Sequence, residues 1–266
     1  MNILNINYRG YNMRISLYIL SCFNLIFSMS GLELAQKMKD IPKPIDNQSN
    51  SSMLLTNKKG KEKNLKLISK SKDDSKKQMI WFLEPKDDYG ISFLKIEKDD
   101  GDDFMNMWLP AFKKFRRISS QKKTDSFMGS DLSFEDMTSR DIDDYKYKII
   151  SEDTPCFEED KSQRCFILES IPNDKKSEYS KHLSWVDKEN YIWHKEESYD
   201  KSGNLLKNKR IKYSVIDNFY IMNELQVENV QKKHSTLLEV SNIKINLNFS
   251  DDIFHTKTIK RMPLVD

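Results

Sequence analysis

Histidines are the first residues to consider for metal or acid–base chemistry, and this chain has four of them. His182, His194, His234 and His255 are scattered through segments of strand-like sequence. They show no His-x-x-His or His-Glu-x-x-His spacing, the arrangement that places two metal ligands on one helical face. We therefore interpret all four as surface or half-buried structural residues and predict no metal site.

The sequence also lacks the motifs of nucleophilic and phosphate chemistry. It has no Gly-x-Ser-x-Gly, no phosphate-binding loop and no Gly-x-Gly-x-x-Gly. The acidic pairs Asp143-Asp144 and Asp251-Asp252 are adjacent, so in an extended chain their side chains point to opposite faces. The acidic run at residues 99–103 lacks the alternating ligands and distant Glu of an EF-hand and is read as a solvated turn. We predict that the protein is not an enzyme and uses no cofactor.

Two cysteines offer disulfide chemistry. Cys156 and Cys165 flank a charged segment, residues 157–164, with strand-like sequence on both sides. An oxidising compartment would permit a bridge across this hairpin. The alternative is two ordinary thiols, with Cys165 half-buried in a strand. Neither cysteine has a partner at metal-ligand spacing.

The first thirty residues are typical of an export signal. Arg9 and Arg14 precede a mostly apolar run at residues 15–27, which is too short to span a bilayer comfortably. Small residues follow at Ser28 and Ser30, the two positions that a signal peptidase reads. We predict a cleaved signal peptide over residues 1–30, a periplasmic location, and one mature domain over residues 31–266.

Cleavage after Ser30 predicts a mature chain that begins at Gly31. The alternatives are an uncleaved membrane anchor and a lipoprotein anchored through Cys22, which follows a loose lipobox. N-terminal sequencing of the exported protein tests this prediction. An intact Met1 or a lipidated Cys22 would contradict it.

The charge balance argues against a nucleic-acid partner. The chain has 44 Lys and Arg against 41 Asp and Glu, a formal net charge of +3. Two of the positive charges lie in the first thirty residues, so the remainder is close to neutral. Phosphate binding requires clustered and unbalanced cations. An aromatic content of 11% also argues against a disordered chain.

The elements that would position any site are mostly β-strands, because hydrophobic residues alternate with a period of two. A capping box at residues 30–33 predicts one short helix, and residues 46–52 read as a polar connector. Glycines at residues 60 and 203 close predicted hairpin turns. A loop with a short helix is predicted at residues 127–137, and a capped helical turn at 250–254. Strands are predicted at residues 79–83, 91–96, 145–149, 183–187, 191–193, 209–215, 219–230 and 235–249.

Two motifs resemble a known family. Residues 108–119 read Trp-Leu-Pro-Ala-x-Lys-Lys-x-Arg-Arg-Ile-Ser, and residues 126–136 read Ser-Phe-Met-Gly-Ser-Asp-x-Ser-x-Glu-Asp. Together they resemble the outer-membrane lipoprotein-sorting protein family, the LolA-like periplasmic carriers. Further matching stretches lie at residues 80–85, 179–188 and 228–230. The resemblance implies a mainly β fold: an incomplete, half-open antiparallel β-barrel of about ten strands, with short helices as a lid over an apolar cavity.

The resemblance also implies a function. We expect a periplasmic carrier that binds the acyl chains of lipoproteins and moves them toward the outer membrane. One alternative is a module that binds free membrane lipid beside an inner-membrane lipid transporter. The other is an envelope or adhesive protein without cargo. We expect a monomer in each case.

Large apolar side chains in and near the two motifs are the candidates for contact with an acyl chain. Methionine suits such a lining because its flexible thioether adapts to varied chains. The alternative for each residue is an ordinary place in the core. The cavity and lid candidates are Met79, Trp81, Leu83, Phe93, Met107, Trp108, Phe112, Phe127, Met128, Leu132, Phe134 and Met137.

A latch is predicted between the two motifs. Arg116 and Arg117 point to opposite faces of a strand, so only one of them can face the cavity. Asp131, Glu135 and Asp136 lie in the lid candidate. We expect the inward arginine to pair with one of these acids and to hold the lid shut, because its planar fork can bond a carboxylate bidentately. The alternative is an exposed ion pair with no gating role.

Overall fold

Antiparallel strands make up most of the chain. The computed structural model of the protein describes residues 28–98, 101 and 103–263, so the predicted signal run at residues 15–27 and Cys22 lie outside the described residues. No helix among the described residues is long and apolar enough to cross a membrane. The strands are β1 (Asp46–Thr56), β2 (Glu62–Lys72), β3 (Lys77–Glu84), β4 (Ser92–Ile96), β5 (Phe104–Leu109), β6 (Lys114–Ile118), β7 (Tyr145–Pro155), β8 (Arg164–Pro172), β9 (Tyr179–Asp187), β10 (Trp193–Asp200), β11 (Leu205–Ile216), β12 (Phe219–Asn229) and β13 (His234–Ile245).

All of these strands form one sheet in the order β6-β5-β4-β3-β2-β1-β13-β12-β11-β10-β9-β8-β7. The sheet does not close, because β6 and β7 are its two edges. The predicted antiparallel, mainly β fold is confirmed. The predicted count of about ten strands is too low: the described residues contain thirteen. They contain one α-helix and four short 3₁₀ turns, at Pro110–Phe112, Ser120–Lys122, Ile142–Asp144 and Asp251–Ile253.

The predicted polar connector at residues 46–52 is wrong, since it forms the first half of β1. This strand lies in the middle of the sheet, and Ser51 is paired with Leu67 of β2 on one side and Val240 of β13 on the other. Backbone hydrogen bonds to two neighbours hold a strand whose side chains are polar. Two predicted strand ends are also wrong, because Tyr191 has a left-handed backbone with φ of 59° and β13 ends at Ile245.

The helix α1 (Gly31–Lys39) confirms the predicted capping box. Ser30 accepts a hydrogen bond from the backbone of Glu33, and the Glu33 carboxylate accepts one from the backbone of Ser30. The helix packs Leu34 against β8 and approaches β7 so closely that a Cβ on Gly31 would lie 2.6 Å from the backbone nitrogen of Lys148. Cleavage after Ser30 would remove this cap, which typically contributes about 1 kcal/mol.

The two faces of the sheet are covered by different segments. On the convex face, the C-terminal segment, residues 249–262, packs Phe254 and Ile259 against β2 to β5. On the concave face, residues 127–137 pack Phe127, Leu132 and Phe134 into the main core. We call residues 127–137 the plug.

The two cysteines lie where β7 ends and β8 begins. Cys156 and Cys165 are joined by a disulfide with a Cα–Cα distance of 5.1 Å, and both residues are buried. The bridge closes the loop between two strands that already pair at Thr154 and Cys165.

We expect thiol labelling of the unfolded, non-reduced mature protein to find no free thiol. Closing this loop should stabilise the protein by about 2–3 kcal/mol, mainly by restricting the unfolded chain. Replacing both Cys156 and Cys165 with Ser should lower the free energy of unfolding by that amount. Two reactive thiols per chain in protein from an oxidising compartment would contradict the prediction.

Candidate functional site

A groove runs along the concave face of the sheet. It consists of two adjoining cavities of about 470 and 450 Å³, a size typical of ligand-binding pockets. Leu132 of the plug and Trp193, Tyr213, Tyr220 and Leu225 of the sheet line both cavities. The two cavities are therefore neighbouring parts of one groove, and the plug lies between them.

The first cavity is largely apolar, and small side chains make room for it. On β1 and β2, large residues such as Met53 and Leu67 face the concave side near the plug. Further along the same faces stand four serines, Ser49 and Ser51 on β1 and Ser69 and Ser71 on β2. Inward positions recur every second residue of a strand, so these serines occupy places where a large side chain would fill the core. The apolar lining comes from Met53, Leu67, Ile80, Ile211, Met222, Leu225, Leu238, Val240 and Ile243.

The second cavity also has much apolar lining, but it borders a buried ion network, made of Asp136, Glu196, Arg140, Lys207 and Lys209. Asp136 accepts hydrogen bonds from Lys207 at 2.8 Å and from Lys209 at 2.5 Å. Glu196 accepts two from Arg140, at 2.6 and 2.8 Å, and one from Lys209 at 3.3 Å. The side chains of Asp136 and Glu196 are only 2% and 3% exposed.

The charges of the network keep its carboxylates ionised in a dry place. Burial by itself would raise the pKa of Asp136, but the charges of Lys209 and Lys207 outweigh it and hold that pKa well below its usual range. In the same way, Arg140 and Lys209 outweigh burial and hold the pKa of Glu196 well below its usual range. Burial would lower the pKa of Lys209, yet Asp136 and Glu196 raise it. Each ion is stable here only because its partners are present.

The plug joins the two cavities of the groove. Its aromatic residues Phe127 and Phe134 stack with each other and with Phe93 in the core, at ring-centroid distances of 5.3 to 5.7 Å. Its acids point the other way: Asp136 enters the ion network, and Asp131 accepts hydrogen bonds from Thr236 and His234 of β13. The plug is therefore held by packing on one side and by charge on the other.

The predicted short helix within residues 127–137 is wrong. The segment is a series of turns, in which Met128 and Gly129 have left-handed φ values of 53° and 81°. The backbone nitrogen of Phe127 donates to the carbonyl of Leu132 at 2.7 Å, which closes the loop on itself. Left-handed residues interrupt a helix, and the large side chains of the segment then enter the core together.

The predicted latch is also wrong in its partners. Arg116 and Arg117 lie on the edge strand β6, and both are exposed. Arg116 pairs with Asp125 at 3.1 Å, and both side chains are more than 40% exposed. Asp131, Glu135 and Asp136 are bound by residues of β9, β11, β13 and the turn before β9 instead. The plug turns its acids away from β6, so the alternative of an exposed ion pair fits Arg116.

Glu135, the remaining acid of the predicted latch, is bound by the turn before β9. Glu135 accepts hydrogen bonds from the hydroxyl of Ser177 and from the backbone nitrogen of Glu178. Burial raises the pKa of Glu135. This residue adds a further tie between the plug and the start of β9.

The structure divides the twelve cavity and lid candidates into three groups. Phe127, Leu132 and Met137 line the groove. Phe93, Met107, Met128 and Phe134 belong to the concave core cluster beside it. Met79, Trp81, Leu83 and Trp108 are misplaced, because they lie on the convex face under the C-terminal segment, and Phe112 is 70% exposed at a hairpin tip. Alternation shows that Met79 and Ile80 face opposite sides, but not which side is concave.

Sequence reasoning missed the four serines and the two buried lysines of the ion network. Serines in a polar stretch resemble a linker, and Lys207 and Lys209 have the residue type that normally faces solvent. The period-two spacing of each set was the available signal, since it places all members of a set on one face. Among the described residues, no group of three His, Cys, Asp or Glu is arranged to hold a metal ion.

We expect His182, beside the ion network, to make stability depend on pH. The pKa of His182 lies well below its usual range, mainly because the ring is buried. The charge of Arg140 lowers this pKa further. In the unfolded chain it gains a proton near pH 6.5, so below that pH the unfolded state binds more protons and stability falls. From pH 7.5 to 5.5 this residue should lower the free energy of unfolding by about 1 kcal/mol.

Urea unfolding of the protein and of His182→Gln at both pH values measures this effect. The variant should lose about 1 kcal/mol of the pH dependence. The other titrating groups are shared by both proteins and cancel in the comparison. Equal pH dependence in the two proteins would contradict the prediction.

Comparison with known proteins finds a family model and several solved structures that are similar to this chain. A family model described as "Uncharacterized protein"-like matches residues 74–261. No curated protein matches the chain. A solved outer membrane lipoprotein-sorting protein domain from Vibrio parahaemolyticus is 32% identical, with a TM-score of 0.80 over 87% of this chain and 98% of that one.

Two further solved structures are similar. A DUF1329 family protein from Desulfovibrio piger is 30% identical, with a TM-score of 0.78 over 86% of this chain and 97% of that one. A LolA superfamily protein from Nitrosomonas europaea has a TM-score of 0.68 over 86% and 99% of the two chains, and at 18% identity it shows a shared fold. On the identity and coverage of the Vibrio domain, and on the two motifs at residues 108–119 and 126–136, the chain belongs to the outer-membrane lipoprotein-sorting protein family.

Proposed function

We propose that the protein is a periplasmic carrier that holds the acyl chains of lipoproteins in the groove and moves them toward the outer membrane. The observation that carries the proposal is the largely apolar cavity of about 470 Å³. It has room for a ligand because four small serines stand at inward positions of β1 and β2: Ser49, Ser51, Ser69 and Ser71. A sheet selected only for stability would fill this space, because an unfilled cavity costs packing energy. The Vibrio relative, an outer membrane lipoprotein-sorting protein domain, supports the same role.

The chemistry of the groove fits an acyl chain. Burying a methylene is worth about 0.8 kcal/mol, so a chain of ~16 carbons hides on the order of 10 kcal/mol of apolar exposure. Aliphatic side chains such as Ile80, Leu225 and Val240 line the space and offer no directional contacts. Met53 and Met222 add flexible side chains that adapt to chains of different shape.

The ion network beside the second cavity gives the plug a defined resting place. Asp136 binds Lys207 and Lys209, and Lys95 of β4 donates a hydrogen bond to the carbonyl of Met137 at 2.6 Å. A chain that enters the first cavity contacts Leu132 and Met137 of the plug, because both residues line that cavity. Uptake and release therefore involve the plug, while the ion network holds its polar end.

The test is native mass spectrometry of the protein purified from its own envelope fraction, followed by identification of any bound lipid. An acyl chain attached to a peptide supports the lipoprotein carrier. Bare membrane lipid would favour the alternative, a module that works with an inner-membrane lipid transporter. Protein that carries no lipid and does not take up a fluorescent fatty acid would overturn the carrier proposal.

A further inference from the structure

Hairpin tips of the sheet meet along one rim. In an antiparallel sheet, every second connection lies at the same end of the strands. The tips of β1–β2 (residues 57–61), β3–β4 (85–91) and β5–β6 (110–113) therefore share an end, and a Cβ on Gly90 would lie 3.5 Å from the ring of Pro110. The β12–β13 tip (230–233) joins them, since Thr56 is paired with Ser235. We call these four tips the lysine rim.

Three of the four tips carry lysines and no acid. The tips at residues 57–61, 110–113 and 230–233 contain no Asp or Glu. On the fourth tip, Lys86 stands with Asp87 and Asp88, and Asp88 is paired with Lys63 at 2.6 Å. In or directly beside the three acid-free tips, seven lysines are exposed, and none forms an ion pair with an acid of the described residues: Lys58, Lys59, Lys61, Lys113, Lys114, Lys232 and Lys233.

The opposite rim lacks this excess of lysines. Its β2–β3 tip carries Asp73 and Asp74, which pair with Lys77 and Lys43. Its β11–β12 tip carries Asp217, and residues 157–161 between β7 and β8 contain three acids and one lysine. The lysine rim thus gives one end of the strands a positive excess, although the whole chain has a net charge of only +3. Such a molecule is oriented by an anionic surface, because one rim is attracted more strongly than the other.

Exposed aromatic side chains stand among the lysines. Phe112, at the tip of β5–β6, is 70% exposed, and Tyr89, at the tip of β3–β4, is 56% exposed. Phe115 is 42% exposed on β6. Aromatic residues flanked by lysines are typical of segments that lie in the headgroup region of a bilayer.

We propose that the lysine rim docks on the surface of an anionic lipid bilayer. The lysines supply attraction to the headgroups over about a Debye length, and Phe112 and Tyr89 enter the interface. Ile45 and Tyr220, which line the groove, lie at the other end of the strands. Docking therefore holds the protein at a membrane with that end of the groove directed away from the bilayer. This proposal does not depend on the cargo.

Vesicle sedimentation tests the proposal. The protein isolated after export is mixed with vesicles of phosphatidylcholine alone, or of phosphatidylcholine with 30% phosphatidylglycerol. We expect sedimentation with the anionic vesicles only, and release in 0.5 M NaCl. Each basic residue near an anionic surface contributes roughly a fivefold factor to the partition, so the double variant Lys58→Glu/Lys59→Glu should bind more than about tenfold more weakly. Phe112→Ser should weaken binding roughly tenfold.

Matched controls lie on the opposite rim. Lys161→Glu also reverses an exposed lysine, and Val215→Ser also replaces an exposed apolar side chain, which is 62% exposed. Both controls should bind as the unaltered protein does. All variants have the same N-terminus as the unaltered protein, so a difference in binding comes from the substitution. Equal binding to neutral vesicles, an equal effect of Lys161→Glu, or capture by an acidic protein without any binding to anionic vesicles would overturn the proposal. Fatty-acid uptake measured without vesicles reports on the proposed function separately.

Discussion

Replacing Asp136 with Ala is expected to lower the free energy of unfolding by about 3–5 kcal/mol. The carboxylate is 2% exposed and binds both Lys207 and Lys209, whose side chains are 4% and 6% exposed. Without it, the ammonium groups of Lys207 and Lys209 stay buried with too little negative charge beside them. Tyr179, which donates a hydrogen bond to Asp136 at 2.9 Å, also loses its acceptor. Urea unfolding at pH 7 measures the loss.

The pH dependence of this contribution has a definite sign. The pKa of Asp136 is depressed in the folded protein, so its stabilisation is fully present above the unfolded pKa of about 3.9 and is lost as pH falls through the folded pKa. Asp136→Asn keeps the shape of the side chain and removes the charge, so it should show most of the same loss at pH 7.

Asp125→Ala is the matched control, because Asp125 pairs with Arg116 on the surface. Exposed pairs contribute about 0–1 kcal/mol, so this variant should unfold almost like the original protein. If Asp136→Ala and Asp125→Ala have equally small effects, the ion network does not hold the plug.

Ser51→Trp is expected to block the groove. Ser51 is buried on the concave face of β1 and lines the apolar cavity. An indole at this place would occupy space that several methylenes of an acyl chain need, each worth about 0.8 kcal/mol. We expect the affinity for a fluorescent fatty acid to fall at least tenfold, with little loss of stability, because the side chain enters a cavity rather than a packed core.

Ser202→Trp is the matched control for this substitution. Ser202 is exposed in the turn between β10 and β11 and is not part of the groove lining. It should bind the fatty acid as the unaltered protein does, and a urea unfolding curve of each variant checks the fold. Unchanged uptake by a folded Ser51→Trp variant would show that acyl chains bind elsewhere.

The local signals in the sequence were enough to predict most elements of this fold. Alternating side chains predicted most of the strands, because one face of each strand is buried. The capping box at Ser30 and Glu33 predicted the start of α1, because both partners lie within one helical turn. The motifs at residues 108–119 and 126–136 predicted the family, which the Vibrio relative confirms. They did not predict β2 or β5. They also did not predict β1, whose polar residues are held by the strands on either side.

The site was decided by tertiary structure. The sequence showed that Met79 and Trp81 share a face, but the C-terminal segment and the plug determine that this face is convex. Lys207 and Lys209 face inward because Asp136, about seventy residues earlier in the chain, meets them there and compensates their burial. Alternation along a strand is a local property, whereas the choice of face and of charge partner depends on which distant segments pack together. The sequence by itself therefore determined most of the strands, α1 and the family, and only the folded sheet decided where the groove and its ion network lie.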